Sequence, residues 1–80
     1  MNDRKKALVT GGATGIGRSA VLALAKAGYD VAINYASSAK AAKEVAALAQ
    51  AMGAQTMLLP CDVSDEAAVR AMMAQVDAQF

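Results

Sequence analysis

The apolar run Ala7-Leu8-Val9 passes directly into Thr10-Gly11-Gly12-Ala13-Thr14-Gly15-Ile16-Gly17, and a helix-like pattern opens behind it. No other stretch narrows the choice of folds so far. A strand that feeds a helix through a glycine turn is the first half of a unit whose next strand lies parallel to the first. The first N–H groups of such a helix have no intrahelical partners, and the helix dipole places about half a positive charge there. Glycines permit the tight turn and keep side chains out of the way of an approaching anion.

The alternation continues to the last residue. Lys6 to Thr10 is expected as a buried strand, and Ile16 to Ala27 as a helix that Gly28 stops. Asp30 to Tyr35 is the second strand. Ser37 and Ser38 are expected to cap a helix that runs to Met52 and stops at Gly53, with Ala41, Val45, Leu48 and Met52 as its apolar face. Gln55 to Leu59 is the third strand, ended by Pro60. Ser64 is expected to cap a third helix with Asp65 and Glu66 in its first turn and Val69, Met72, Met73, Val76 and Phe80 facing inward. The order β-α-β-α-β-α implies a parallel sheet with right-handed crossovers, the N-terminal half of a doubly wound (Rossmann) sheet. With the strands in the order 3-2-1, the first lies on an open edge where a complete fold places a fourth. Residues 1–80 are therefore expected to form one partial domain, an N-terminal piece.

Composition removes several classes of function. With eight basic and seven acidic residues the formal net charge is +1, too balanced for a nucleic-acid surface. The basic run Arg4-Lys5-Lys6 is expected to be a solvated lead-in. One cysteine, Cys61, and no histidine exclude an intrachain disulfide, a cysteine-rich metal site, a histidine-based zinc site and Ser-His-Asp catalysis. Cys61 is expected to be a structural, near-surface thiol. The N-terminal residues do not read as a signal peptide and no apolar run approaches membrane-spanning length, so a cytoplasmic location is expected.

The glycine turn admits two competing readings. It could be a plain strand-to-helix turn, but glycines at 11, 15 and 17 exceed what such a turn needs. It is also one residue away from G-x-x-x-x-G-K-[ST], with Arg18-Ser19 where a phosphate-bridging lysine and its hydroxyl partner belong. Arginine does not replace that compact charge. A dinucleotide pyrophosphate fits the turn best.

Thr10-Gly-Gly-Ala-Thr-Gly-Ile-Gly17 resembles the T-G-x-x-x-G-I-G signature of the short-chain dehydrogenase/reductase family. The likeness extends through Val-Ala-Ile-Asn-Tyr of the second strand and Cys61-Asp62-Val63 after the third, and lies nearest to the 3-oxoacyl-[acyl-carrier-protein] reductase-like and glucose-dehydrogenase-like members, the former above all. It implies that Gly11, Gly15, Ile16 and Gly17 line a pyrophosphate through backbone N–H groups and that the Thr10 hydroxyl helps fix the turn. It further implies that Asp62 accepts from the adenine amino group while the Val63 backbone meets the ring. A bland role for Asp62, as a turn former ahead of Ser64, competes with this.

An NAD site usually carries an acidic residue at the end of the second strand for the ribose 2′-hydroxyl. Here that end is Tyr35-Ala36-Ser37-Ser38, and Asp30 stands a strand length away. No carboxylate repels a 2′-phosphate, and the serine hydroxyls with the N–H groups of the second helix, together with Arg18 or Lys40, are candidates to hold one. NADP(H) is expected over NAD(H), with Tyr35 and Ser37 in its site.

The resemblance implies an oxidoreductase that moves hydride between nicotinamide C4 and the carbonyl or alcohol carbon of a small substrate, in a homo-oligomer, commonly a tetramer. Its tyrosine–lysine pair is not found here: Tyr29 is followed four residues on by Ile33, and Tyr35 by Ala39. The chain is expected to be inactive by itself. A stand-alone nucleotide-binding or self-associating module without catalysis is the alternative.

Overall fold

The computed structural model describes residues 4–80. Three strands, β1 (Lys6–Val9), β2 (Asp30–Tyr35) and β3 (Thr56–Pro60), alternate with three helices, α1 (Gly15–Lys26), α2 (Ala39–Ala51) and α3 (Glu66–Gln79). The strands form one parallel sheet in the order β1-β2-β3, with Lys6 opposite Asp30 and Val31 opposite Thr56. This is the expected β-α-β-α-β-α half of a doubly wound sheet, and β1 and β3 are its two edges. Gly28 and Gly53, with φ of 98° and 93°, make the left-handed stops behind α1 and α2.

Alternation along β2 divides the core between the two faces of the sheet. Val31 and Ile33 pack with Val21 and Ala25 of α1 and with Val45, Ala46 and Ala49 of α2. Ala32 on the other face joins Met57, Leu59 and Cys61, which Met72 of α3 covers. The helix α2 turns a different stripe inward than its larger residues suggest. Ala42, Val45, Ala46 and Ala49 are buried, whereas Leu48 and Met52 are 41% and 46% exposed. The alanine stripe has the same helical spacing and lets the helix approach the sheet closely, so small size decided the face. In α3 only Met72 is buried and Met73 is exposed. Cys61 is buried within this second cluster, not near the surface.

Pro60 belongs to β3, opposite Tyr35, and does not end the strand before it. An edge strand tolerates a residue without an N–H because its outward groups have no ladder partner. The cap of α3 is Asp65, whose carboxylate accepts from the Ala68 N–H at 3.2 Å, and not Ser64. Ser38 stands at the N-cap of α2 without a side-chain capping hydrogen bond.

The basic lead-in is not merely solvated. Asp30 is fully buried, and Arg4 Nε and Lys6 Nζ reach its two carboxylate oxygens at 2.7 and 3.1 Å. The Gln55 N–H donates to the same carboxylate at 2.9 Å. The carboxylate therefore ties the starts of all three strands together, at the pole remote from the glycine turn. The same ammonium of Lys6 lies 5.8 Å from the centre of the Phe80 ring.

Candidate functional site

The glycine turn, the end of β2 and the end of β3 meet at the carboxyl ends of the strands, the side of an open α/β sheet where ligands bind. Gly11 and Gly15 have φ of 64° and 59°, and a Cβ on either would meet no atom within 4 Å. Glycine at these two places provides the left-handed backbone and leaves open space over it. Gly17 has a different reason. A Cβ there would run into the Gly11 carbonyl and lie 3.0 Å from the Gly12 Cα, so the turn folds back against the first turn of α1. Gly12 is similarly constrained, its Cβ position being 2.9 Å from Ile33 and 3.1 Å from Val21.

Thr14 is the N-cap of α1, but its side chain makes no capping hydrogen bond and no acidic residue stands in the first turn. The N-terminus of α2 is alike in both respects. Among the described residues, both helices thus present N–H groups that no side chain neutralises, whereas α3 is closed by Asp65 and carries Glu66. Between the first two lies a cleft of about 190 Å³ lined by Gly11, Ala13, Thr14, Tyr35, Ala36, Ser37 and Ser38.

Of the residues singled out in the sequence, Gly11, Tyr35 and Ser37 share this cleft. Gly15, Ile16 and Gly17 form the adjoining start of α1, and the Ile16 side chain is 90% exposed. Thr10 is exposed at the beginning of the turn. Asp62 and Val63 are exposed just beyond β3, beside the end of β2, because the Cys61 N–H donates to the Tyr35 carbonyl at 2.9 Å. Asp62 makes the local turn: its Oδ1 accepts from the Ser64 N–H at 2.9 Å and the Ser64 hydroxyl at 2.8 Å. These two hydrogen bonds, the backbone one foremost, hold the Asp62 carboxyl below its usual range. Arg18 and Lys40 are exposed.

One residue of the site has no role in the sequence reading. Asn34 is 2% exposed; its amide donates to the Leu59 and Cys61 carbonyls at 3.1 and 3.0 Å, and its Oδ1 accepts from the Gly11 N–H at 3.3 Å. Its own carbonyl accepts from the Gly12 N–H at 2.9 Å. The available signal was an amide side chain in the apolar run Val31-Ala32-Ile33, since a buried amide must find partners.

The family model for short chain dehydrogenases matches residues 5–80. The chain belongs to that family. It is 44% identical over its whole length to the 3-oxoacyl-[acyl-carrier-protein] reductase FabG of Staphylococcus aureus, and those 80 residues span 32% of that relative. A short chain dehydrogenase from Burkholderia cenocepacia, solved in complex with NADP, is 43% identical with a TM-score of 0.87, over 90% of this chain and 29% of that one. A short-chain dehydrogenase/reductase from Burkholderia xenovorans superposes on the entire chain with a TM-score of 0.95 at 34% identity, covering 33% of its own length. The chain thus spans about a third of the curated relatives it matches and corresponds to their N-terminal part. Among the described residues no helix is long and apolar enough to cross a membrane.

Proposed function

We propose that this chain forms the adenosine and pyrophosphate side of an NADP(H) site in a short chain dehydrogenase acting on a carbonyl or alcohol. The observation that carries the reading is the open backbone at the head of α1: uncapped N–H groups, no acid in the first turn, and no neighbour over Gly11 or Gly15. A diphosphate needs that combination, because it brings negative charge and must come within hydrogen-bond distance of the backbone. Gly15, Ile16 and Gly17 are assigned to it through their backbone N–H groups, and Gly11, whose N–H is held by Asn34, through the open space over its backbone, with Thr10 supporting the turn. Asp62 is assigned to the adenine amino group, its carboxylate oriented by Ser64, and the Val63 backbone to the ring.

Tyr35 and Ser37 line the cleft assigned to the adenosine ribose and its 2′-phosphate, together with the uncapped start of α2. Among the described residues no carboxylate lines that cleft, which favours the phosphorylated coenzyme. When bound, the coenzyme supplies the hydride at nicotinamide C4. Residues 4–80 bind and orient the part remote from that carbon, and the 80 residues alone are assigned no catalysis. They form one partial dinucleotide-binding domain. Titration of the full-length protein with NADPH and NADH tests the reading. Tighter NADPH binding is expected; tighter NADH binding overturns the preference, and binding of neither overturns the site.

A further inference from the structure

We propose that Asn34 is a positioning residue that holds the pyrophosphate turn and the adenine segment at the separation one dinucleotide requires. The inference rests on the dinucleotide reading above and adds a residue to it. Asn34 uses both side-chain donors on one arm of the site, the carbonyls of Leu59 and Cys61, immediately before Asp62 and Val63. Its acceptor oxygen takes the Gly11 N–H of the other arm, and its main-chain carbonyl takes the Gly12 N–H. Every hydrogen-bonding group of this buried amide side chain is engaged, so rotating it breaks bonds to both arms at once. Each arm keeps a backbone bond to β2, from the Gly12 N–H to the Asn34 carbonyl and from the Cys61 N–H to the Tyr35 carbonyl, and the Asn34 side chain ties the two arms to each other.

The proposal makes a demand that a generally stabilising residue does not. A ligand that touches both arms benefits from their fixed separation, as two linked binding events do, whereas a ligand touching one arm does not. Asn34→Leu retains roughly the volume and removes the side-chain hydrogen bonds. Asn34→Asp keeps the acceptor for Gly11 and removes the two donors. Binding of NADPH, adenosine and inorganic pyrophosphate to the full-length protein is compared, with thermal unfolding selecting a temperature at which each variant is folded. In either variant NADPH is expected to lose about ten-fold or more in affinity, and each half-ligand about three-fold or less. Equal losses for all three ligands, or no loss for any, overturn the role of Asn34. Failure of the wild-type protein to bind NADPH strikes the dinucleotide reading instead. Should Asn34→Leu fail to fold, Asn34→Asp carries the same comparison.

Discussion

The carbonyl of Gly11 fills the space that a side chain on Gly17 needs. Two glycines six residues apart are thereby locked together, the first by its conformation and the second by what the first places over it. Gly17→Ala forces the turn away from α1, and overpacking of this kind costs about 1–3 kcal/mol. Lower thermal stability and weakened NADPH binding are both expected. An unchanged melting temperature together with unchanged affinity would show that the turn can move aside freely.

Gly15→Ala separates conformation from contact. Its Cβ meets nothing, so the cost is that of a left-handed backbone alone, about 1–2 kcal/mol. Chemical denaturation of Gly15→Ala and Gly17→Ala side by side checks the distinction. Asparagine tolerates a left-handed backbone better than alanine, so Gly15→Asn should cost less than Gly15→Ala, whereas Gly17→Asn should cost at least as much as Gly17→Ala.

At the opposite pole, Asp30→Ala removes the acceptor shared by Arg4, Lys6 and the Gln55 N–H. Both cations retain access to water, which holds the loss below that of breaking a fully buried pair, at about 1–3 kcal/mol. Because the carboxylate lies a strand length from the cleft, coenzyme affinity measured below the melting transition should not change. A selective loss of affinity would mean that the two poles are coupled.

The turn before α3 contains two carboxylates with different duties. Asp65→Ala deletes a helix cap and should cost about 1 kcal/mol. Ser64→Ala leaves that cap in place and removes one of the two donors that depress Asp62, so the Asp62 pKa should rise part of the way to its ordinary value. A carboxyl whose folded pKa is lowered contributes its full stabilisation above the ordinary carboxylate range and loses it as pH falls through the lowered value. Adenine binding through ionised Asp62 should therefore be flat from neutral pH into mild acid and decline only below the usual carboxylate pKa. NMR titration of Asp62 in the wild type and in Ser64→Ala measures the shift; coincident curves would remove Ser64 as its cause.

Ala36→Asp puts a carboxylate on the rim of the cleft where none stands. Repulsion of a 2′-phosphate should weaken NADPH by about ten-fold or more, taking about 1.4 kcal/mol per ten-fold, while NADH is spared or improved. Coenzyme titration reads the ratio directly, and an equal effect on both coenzymes would move the 2′-phosphate elsewhere.

The order of elements and the glycine turn were legible because each has a local cause: period, punctuation by glycine, and an N–H-rich helix start. What eluded the sequence depended on neighbours distant along the chain. Leu48 outranks Ala46 in hydrophobicity, yet close approach of α2 to the sheet selected the alanine. Arg4 and Lys6 look like a solvated charge run until strand pairing sets Lys6 opposite Asp30. Ser64 and Asp65 are both good caps, and only the course of the loop leaves the first to Asp62 and the second to α3. Asn34 joins segments more than twenty residues away on either side, and no window along the chain contains its partners together.

Pro60 sits on the outer strand with Tyr35 at its inner side, and Cys61 after it turns its N–H inward. Its ring nitrogen therefore faces outward without a hydrogen to offer. A foreign strand trying to extend the sheet would lack a donor beside the mouth of the cleft. One imino acid thus removes a point of adhesion for another polypeptide at the end of β3 that lies beside Tyr35.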